Sequence, residues 1–159
     1  MGLDAHVCCD CFERGLLRSP PPSGCNLSVD VDGSLCCGSD DLDVQIAFDC
    51  WRHSDACEHE RGYLIAHHIG NIALVSSLRQ ELGQWPNLFS VILSRVIYDG
   101  MHSGDCIPAT SVRELAPEVE ALRGVHCQDP EMEPFIREFE AQMGELVAAA
   151  LKMHKPIVF

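Results

Sequence analysis

The chain has 159 residues, 47% of them hydrophobic, and its 24 acidic against 11 basic side chains give a net charge of −13. That length fits one domain over residues 1–159 with a continuous core, and the apolar fraction excludes a disordered chain. The charge repels phosphate backbones and anionic lipid surfaces, so direct nucleic-acid and membrane binding are disfavoured and a basic protein is the expected partner.

The first strand is expected over Leu3–Cys9, where Leu3, Ala5, Val7 and Cys9 alternate with Asp4, His6 and Cys8. Pro20-Pro21-Pro22 marks a loop over Arg18–Gly24. A short strand over Asn26–Val31 ends at the turn signal Asp32-Gly33. Ser39 or Asp40 is placed to cap a helix to about His53, although Leu42, Ile46, Phe48, Cys50 and Trp51 only partly follow one helical stripe.

Gly62–Gly70 fits either a strand buried on both faces or a short helix. Asn71 caps a helix through Trp85, and Leu88–Tyr98 forms another with apolar residues at helical spacing. Met101–Pro108 reads as a polar loop. Ser111 and Glu114 make a capping-box pattern for a helix that Pro117 would kink. Asp129-Pro130 starts the clearest helix, to about His154, with Phe135, Phe139, Gln142, Met143, Leu146 and Ala150 as its buried stripe. Its glutamates form a solvated acidic face. Ile157-Val158-Phe159 closes as a terminal strand. The sum is a mostly helical α+β domain whose small sheet pairs the N-terminal strand with the C-terminal one.

Ile69–Leu82, the longest apolar candidate, is too interrupted to span a bilayer, which takes about 20 residues. The opening Met1-Gly2-Leu3-Asp4 carries no basic stretch followed by an apolar one, so no secretory signal is read, and His6 stands where a myristoylation motif needs Ser or Thr. A cytoplasmic location is expected. There the ten cysteines are thiols rather than a disulfide scaffold.

Ten cysteines and eight histidines are dense for such a chain, and both side chains bind borderline metals such as zinc. Three places carry candidate chemistry. Cys8 and Cys11 form a CxxC pair that can share one zinc, and Cys57 and His59 are its nearest chemical complement, with Cys25, Cys36 and Cys37 as further options. A redox use is disfavoured, because that pair follows a strand rather than opening a helix. Around Cys57-Glu58-His59-Glu60, with His67 and His68 downstream, Glu58 or Glu60 could serve a metal-bound water. The helical histidine spacing of zinc hydrolases is missing, so an acidic loop is the simpler reading. In His102-Ser103-Gly104-Asp105-Cys106, His102 is a candidate base and Cys106 a candidate nucleophile, with Asp105 beside them. A connecting loop in which Asp105 caps a turn is again simpler. No phosphate-binding glycine loop and no nucleophile elbow is present.

Together the Met1-Gly2-Leu3-Asp4 opening, the Cys8-Cys9-Asp10-Cys11 turn, the proline loop, the Cys57-Glu58-His59 segment, the His102–Asp105 loop and the closing Lys155-Pro156-Ile157-Val158-Phe159 resemble small bacterial proteins, some of which are similar to immunity proteins of polymorphic toxin systems. The resemblance spans much of the chain. It carries no catalytic residue over. The net charge of −13 on a domain without a recognisable catalytic motif gives the first reading, a non-enzymatic cytosolic binding protein of immunity type that inhibits a basic toxin. The alternative is a zinc-dependent enzyme, or a zinc-stabilised binding module, built on the cysteines and histidines above.

Overall fold

The computed structural model describes residues 2–100 and 102–159; Met1 and Met101, the first residue of the expected polar loop, lie outside them. In chain order the elements are β1 (Gly2–Cys8), β2 (Leu27–Val29), β3 (Leu35–Cys37), α1 (Leu42–Ser54), β4 (Tyr63–Asn71), α2 (Ile72–Leu82), β5 (Cys106–Ile107), α3 (Val112–Ala121), α4 (Glu133–Met153) and β6 (Ile157–Val158). The class is α+β, with a four-stranded sheet in the order β4-β1-β6-β5 and a β2-β3 hairpin.

Alternation drives β1: Leu3, Ala5 and Val7 are buried on one face and Asp4 is exposed on the other. The ambiguous segment after Gly62 is a strand, β4, which runs antiparallel to β1 from Gly2↔Asn71 to Cys8↔Tyr63. The expected pairing of the two ends of the chain is present, with His6 opposite Val158. Helix α4 lays Ile136, Phe139, Met143, Leu146, Val147 and Ala150 into the core beneath β1. Ile136 rather than the expected Phe135 leads this stripe, because Phe135 is 42% exposed. Asp129 accepts a hydrogen bond from the Glu131 N–H and heads a single 3-10 turn before α4, and His154 ends the helix in the left-handed conformation.

Several expected boundaries move. Asp41, not Ser39 or Asp40, caps α1 by accepting from the Asp43 N–H. Helix α2 is capped by Asn71 as expected but stops at Leu82, short of Trp85. The expected Leu88–Tyr98 helix shrinks to residues 90–96, ending in a π-helical turn over Ile92–Val96. The buried Glu118 of α3 heads this short helix, accepting from the N–H groups of Val91 and Ile92 at 2.9 Å each and from the Ser90 hydroxyl at 3.0 Å. Ser111 makes no side-chain cap on α3, so the expected capping box does not form. Strand β3 is an element that alternation did not foretell.

A second, smaller core joins α1 to the hairpin. Phe48, Trp51 and Ala56 pack there with Leu17, Leu27 and Leu35. The Trp51 indole N–H donates to the Ser19 hydroxyl at 2.8 Å, which tethers the proline loop to the helix. Cys25 and Cys37 are bridged across the end of the hairpin, with Cα atoms 5.4 Å apart. This corrects the expectation that every cysteine is a free thiol: the hairpin register brings this pair within bridging reach. At the other side, Lys155, 5% exposed, donates to both carboxylate oxygens of Glu13 at 2.5 and 2.7 Å. No helix among the described residues is long and apolar enough to cross a membrane.

Candidate metal centre

The turn that follows β1 and the loop that follows α1 meet at the seam between the two cores. The first is a tight turn: Leu16 N–H donates to Cys11 O at 2.7 Å, and Gly15 takes the left-handed conformation that closes it. In the second, Arg61 and Gly62 are both left-handed and swing the chain back into β4. The two segments are stitched together where Cys9 N–H donates to Gly62 O at 2.8 Å.

This stitching gathers four donor side chains. Cys9 Sγ lies 3.8 Å from Cys57 Sγ, Cys11 Sγ 3.3 Å from His59 Nδ1, and Cys57 Sγ 3.9 Å from the same nitrogen. All four donor atoms fall within 4.8 Å of one another, so this group could hold one metal ion. Around a tetrahedral zinc, bond lengths of about 2.3 Å to sulfur and 2.05 Å to nitrogen set sulfurs about 3.8 Å apart and sulfur–nitrogen pairs about 3.6 Å apart. The three separations given above lie within about 0.3 Å of those values. Glu58 Oε1 lies 4.0 Å from His59 Nε2, on the side of the ring that faces away from the other donors.

Burial makes Cys9 and Cys11 hard to ionise without a cation. It pushes Cys11 up to about 12, with the neighbouring thiols Cys9 and Cys57 adding to the effect, and it raises Cys9 as well. A bound cation reverses this, since its charge stabilises the thiolates and releases their protons.

The surroundings are close-fitting. A cavity of about 30 Å³ adjoins the group, lined in part by Leu17, Ala56 and Tyr63. That is room for a water molecule, not for an organic substrate, whose sites run to hundreds of Å³. Three thiols and one imidazole would supply the four ligands that a structural tetrahedral zinc takes.

Of the four expected ligands, Cys11, Cys57 and His59 belong to the group, while Cys8 does not. Cys8 ends β1 buried, its Sγ 3.9 Å from the Ser34 hydroxyl, and burial pushes its thiol up to about 11. Cys9 takes its place. The cause is an irregularity between Val7 and Cys8, where the register with β4 shifts and the strand's alternation is lost. A CxC pair, not the CxxC pair, therefore faces Cys57 and His59.

The remaining candidates lie elsewhere. His67 Nε2 meets Glu145 of α4 at 2.9 Å, and His68 Nδ1 meets Asp4 at 2.7 Å. Both are engaged along β4, away from the cluster. In the 102–106 loop, the His102 ring stacks on Tyr98 with centroids 4.4 Å apart, and its Nδ1 lies 3.4 Å from Asp99. Asp105 accepts from the Tyr98 hydroxyl at 2.5 Å rather than orienting a base. Cys106 pairs with Val158 in the sheet, and no hydrogen bond joins it to His102 among the described residues. These residues close β5 onto β6 and do not assemble a nucleophile and its base.

Comparison with protein-family models, with curated proteins and with solved structures finds no match for this chain.

Proposed function

We propose that this protein is a zinc-stabilised binding module, in which Cys9, Cys11, Cys57 and His59 hold one structural zinc. The observation that carries this reading is the approach of all four donor atoms to within 4.8 Å. Zinc suits three thiolates and an imidazole, and it would cross-link the end of β1 to the loop behind α1. Elemental analysis of protein purified without a histidine tag tests it. One zinc per chain is expected, with a lower melting temperature in chelator. A metal content near zero, with stability unchanged by chelator, would sink the idea.

The charge favours a second, compatible statement about the partner. A net charge of −13 on a domain without an assembled catalytic set suits an immunity-type inhibitor that captures a basic toxin. Such a pair associates quickly and in a salt-sensitive way. The reading expects a toxin-like gene beside this one, whose product binds the chain. A neighbouring toxin that the purified chain neither binds nor inhibits would count against it.

A further inference from the structure

We propose that the solvent face of α1 docks a basic amphipathic helix of the partner protein. This rests on the binding-module reading. The helix carries apolar residues on two sides. Phe48 and Trp51 face the small core, while Leu42 and Ile46 stand on the opposite side, 67% and 53% exposed. Leu42, Ile46 and the exposed Cys50 are spaced four apart, so they form one ridge along the helix. A helix that needs only one apolar face for its own core has no internal use for the second.

The rim of this ridge is acidic. Asp40 and Asp41 lie at its N-terminal end and Asp43 and Asp49 along its flanks, all exposed. Arg52 is the only lysine or arginine from Ser39 to Asp55, and it lies 3.7 Å from Asp49. An apolar ridge between aspartates fits a helix with an apolar stripe flanked by lysines or arginines. A second copy of this chain is a poor occupant, because its aspartates would meet like charges across a two-fold axis. Cys57, a donor of the proposed zinc site, lies two residues beyond the Asp55 C-cap of α1, so a bound zinc would hold the helix in place before a partner arrives.

The probe is an 18-residue synthetic helix with leucines on one face and lysines around it, titrated calorimetrically into the full chain, with zinc content measured on the same sample. Saturable one-to-one binding is expected, weakening as NaCl is raised and falling at least tenfold in L42Q/I46Q. Both side chains point into water, and circular dichroism checks that this variant keeps its fold. A second variant, D43N/D49N, is expected to flatten the salt dependence. The proposal is overturned if L42Q/I46Q binds as well as the parent, or if a peptide with glutamates in place of the lysines binds equally. It is also overturned if the parent is a dimer that L42Q/I46Q turns into a monomer. Zinc-free protein that still binds through Leu42 and Ile46 removes the zinc reading and leaves the docking face standing.

Discussion

Cys9 and Cys57 stand 48 residues apart in the chain, and their sulfurs are 3.8 Å apart in the fold. Each thiol sits on a segment that runs between the two cores: Val7 of the larger and Leu17 of the smaller flank the first, and Ala56 of the smaller and Ile65 against the larger flank the second. A metal ion between them would therefore act on the junction of the cores rather than on either alone.

The choice between Cys8 and Cys9 is directly testable. Cys9→Ser and Cys57→Ser each remove one of the four donors and should weaken zinc binding by about a hundredfold or more. Cys8→Ser should leave affinity within a few-fold of the parent, because its sulfur faces Ser34. Competition with a chromogenic chelator measures all three. Equal losses in C8S and C9S would restore the CxxC pairing.

Removing the proposed zinc should loosen one part of the molecule before the other. Amide exchange is expected to quicken at residues 9–17 and 55–62 on chelation, while α4, packed against the sheet, keeps its protection. Uniform quickening throughout would mean that the ion supports the whole fold.

The Glu13–Lys155 pair should be costly to break from one side. Lys155 is 5% exposed, so Glu13→Gln leaves a buried ammonium without its counter-charge. A loss of about 2–3 kcal/mol is expected, moderated because Glu13 itself is half-exposed. Urea unfolding with zinc held constant measures it. The double variant Glu13→Gln/Lys155→Met should recover part of the loss.

Glu118 offers a similar test away from the cysteine–histidine group. Its carboxylate caps the short 90–96 helix, and Glu118→Ala would strand the buried Ile92 N–H. Such an unmet donor costs about 1–3 kcal/mol. Glu118→Gln keeps one acceptor oxygen and should cost less, as thermal melts of both variants would reveal.

Stability should fall in alkali. Burial, followed by the Glu133 carboxylate, pushes the Cys127 thiol from 9.0 up to about 11. The hydrogen bond to Asp105 pushes the Tyr98 phenol from 10.0 up to about 12. Above the ordinary values, the unfolded chain has released protons that the folded protein still holds. Stability from these two groups is thus complete below about pH 9 and declines as pH rises toward 12. Melting temperature against pH checks the trend, and Cys127→Ala and Tyr98→Phe should each make the decline shallower.

Much of the fold was legible where local patterns and tertiary packing agree. The alternation of Leu3, Ala5 and Val7, the Asn71 cap, and the Asp129-Pro130 start each correspond to an element near the expected place. Reading failed where a distant partner decides. The 90–96 helix owes its start to Glu118, which no local pattern around Leu88 reveals. The mixed pattern of Leu42, Ile46, Phe48 and Trp51 looked like a poor helix because α1 has two apolar sides. Cys57 and His59 were recognisable by chemistry, and so was Cys11. Choosing Cys9 over Cys8 required the irregularity after Val7, a property of the pairing with β4.

The strand order carries a consequence for the order of synthesis. Strand β6 lies between β1 and β5, so β1 is completed by a strand that follows it much later in the chain. The sheet must wait for residues 157–158 to emerge, while β1 remains without that neighbour. The four donors all lie between Cys9 and His59 and are available much earlier. A metal captured at that stage would hold the young N-terminal segment in its native turn, and so shorten the search that β6 completes.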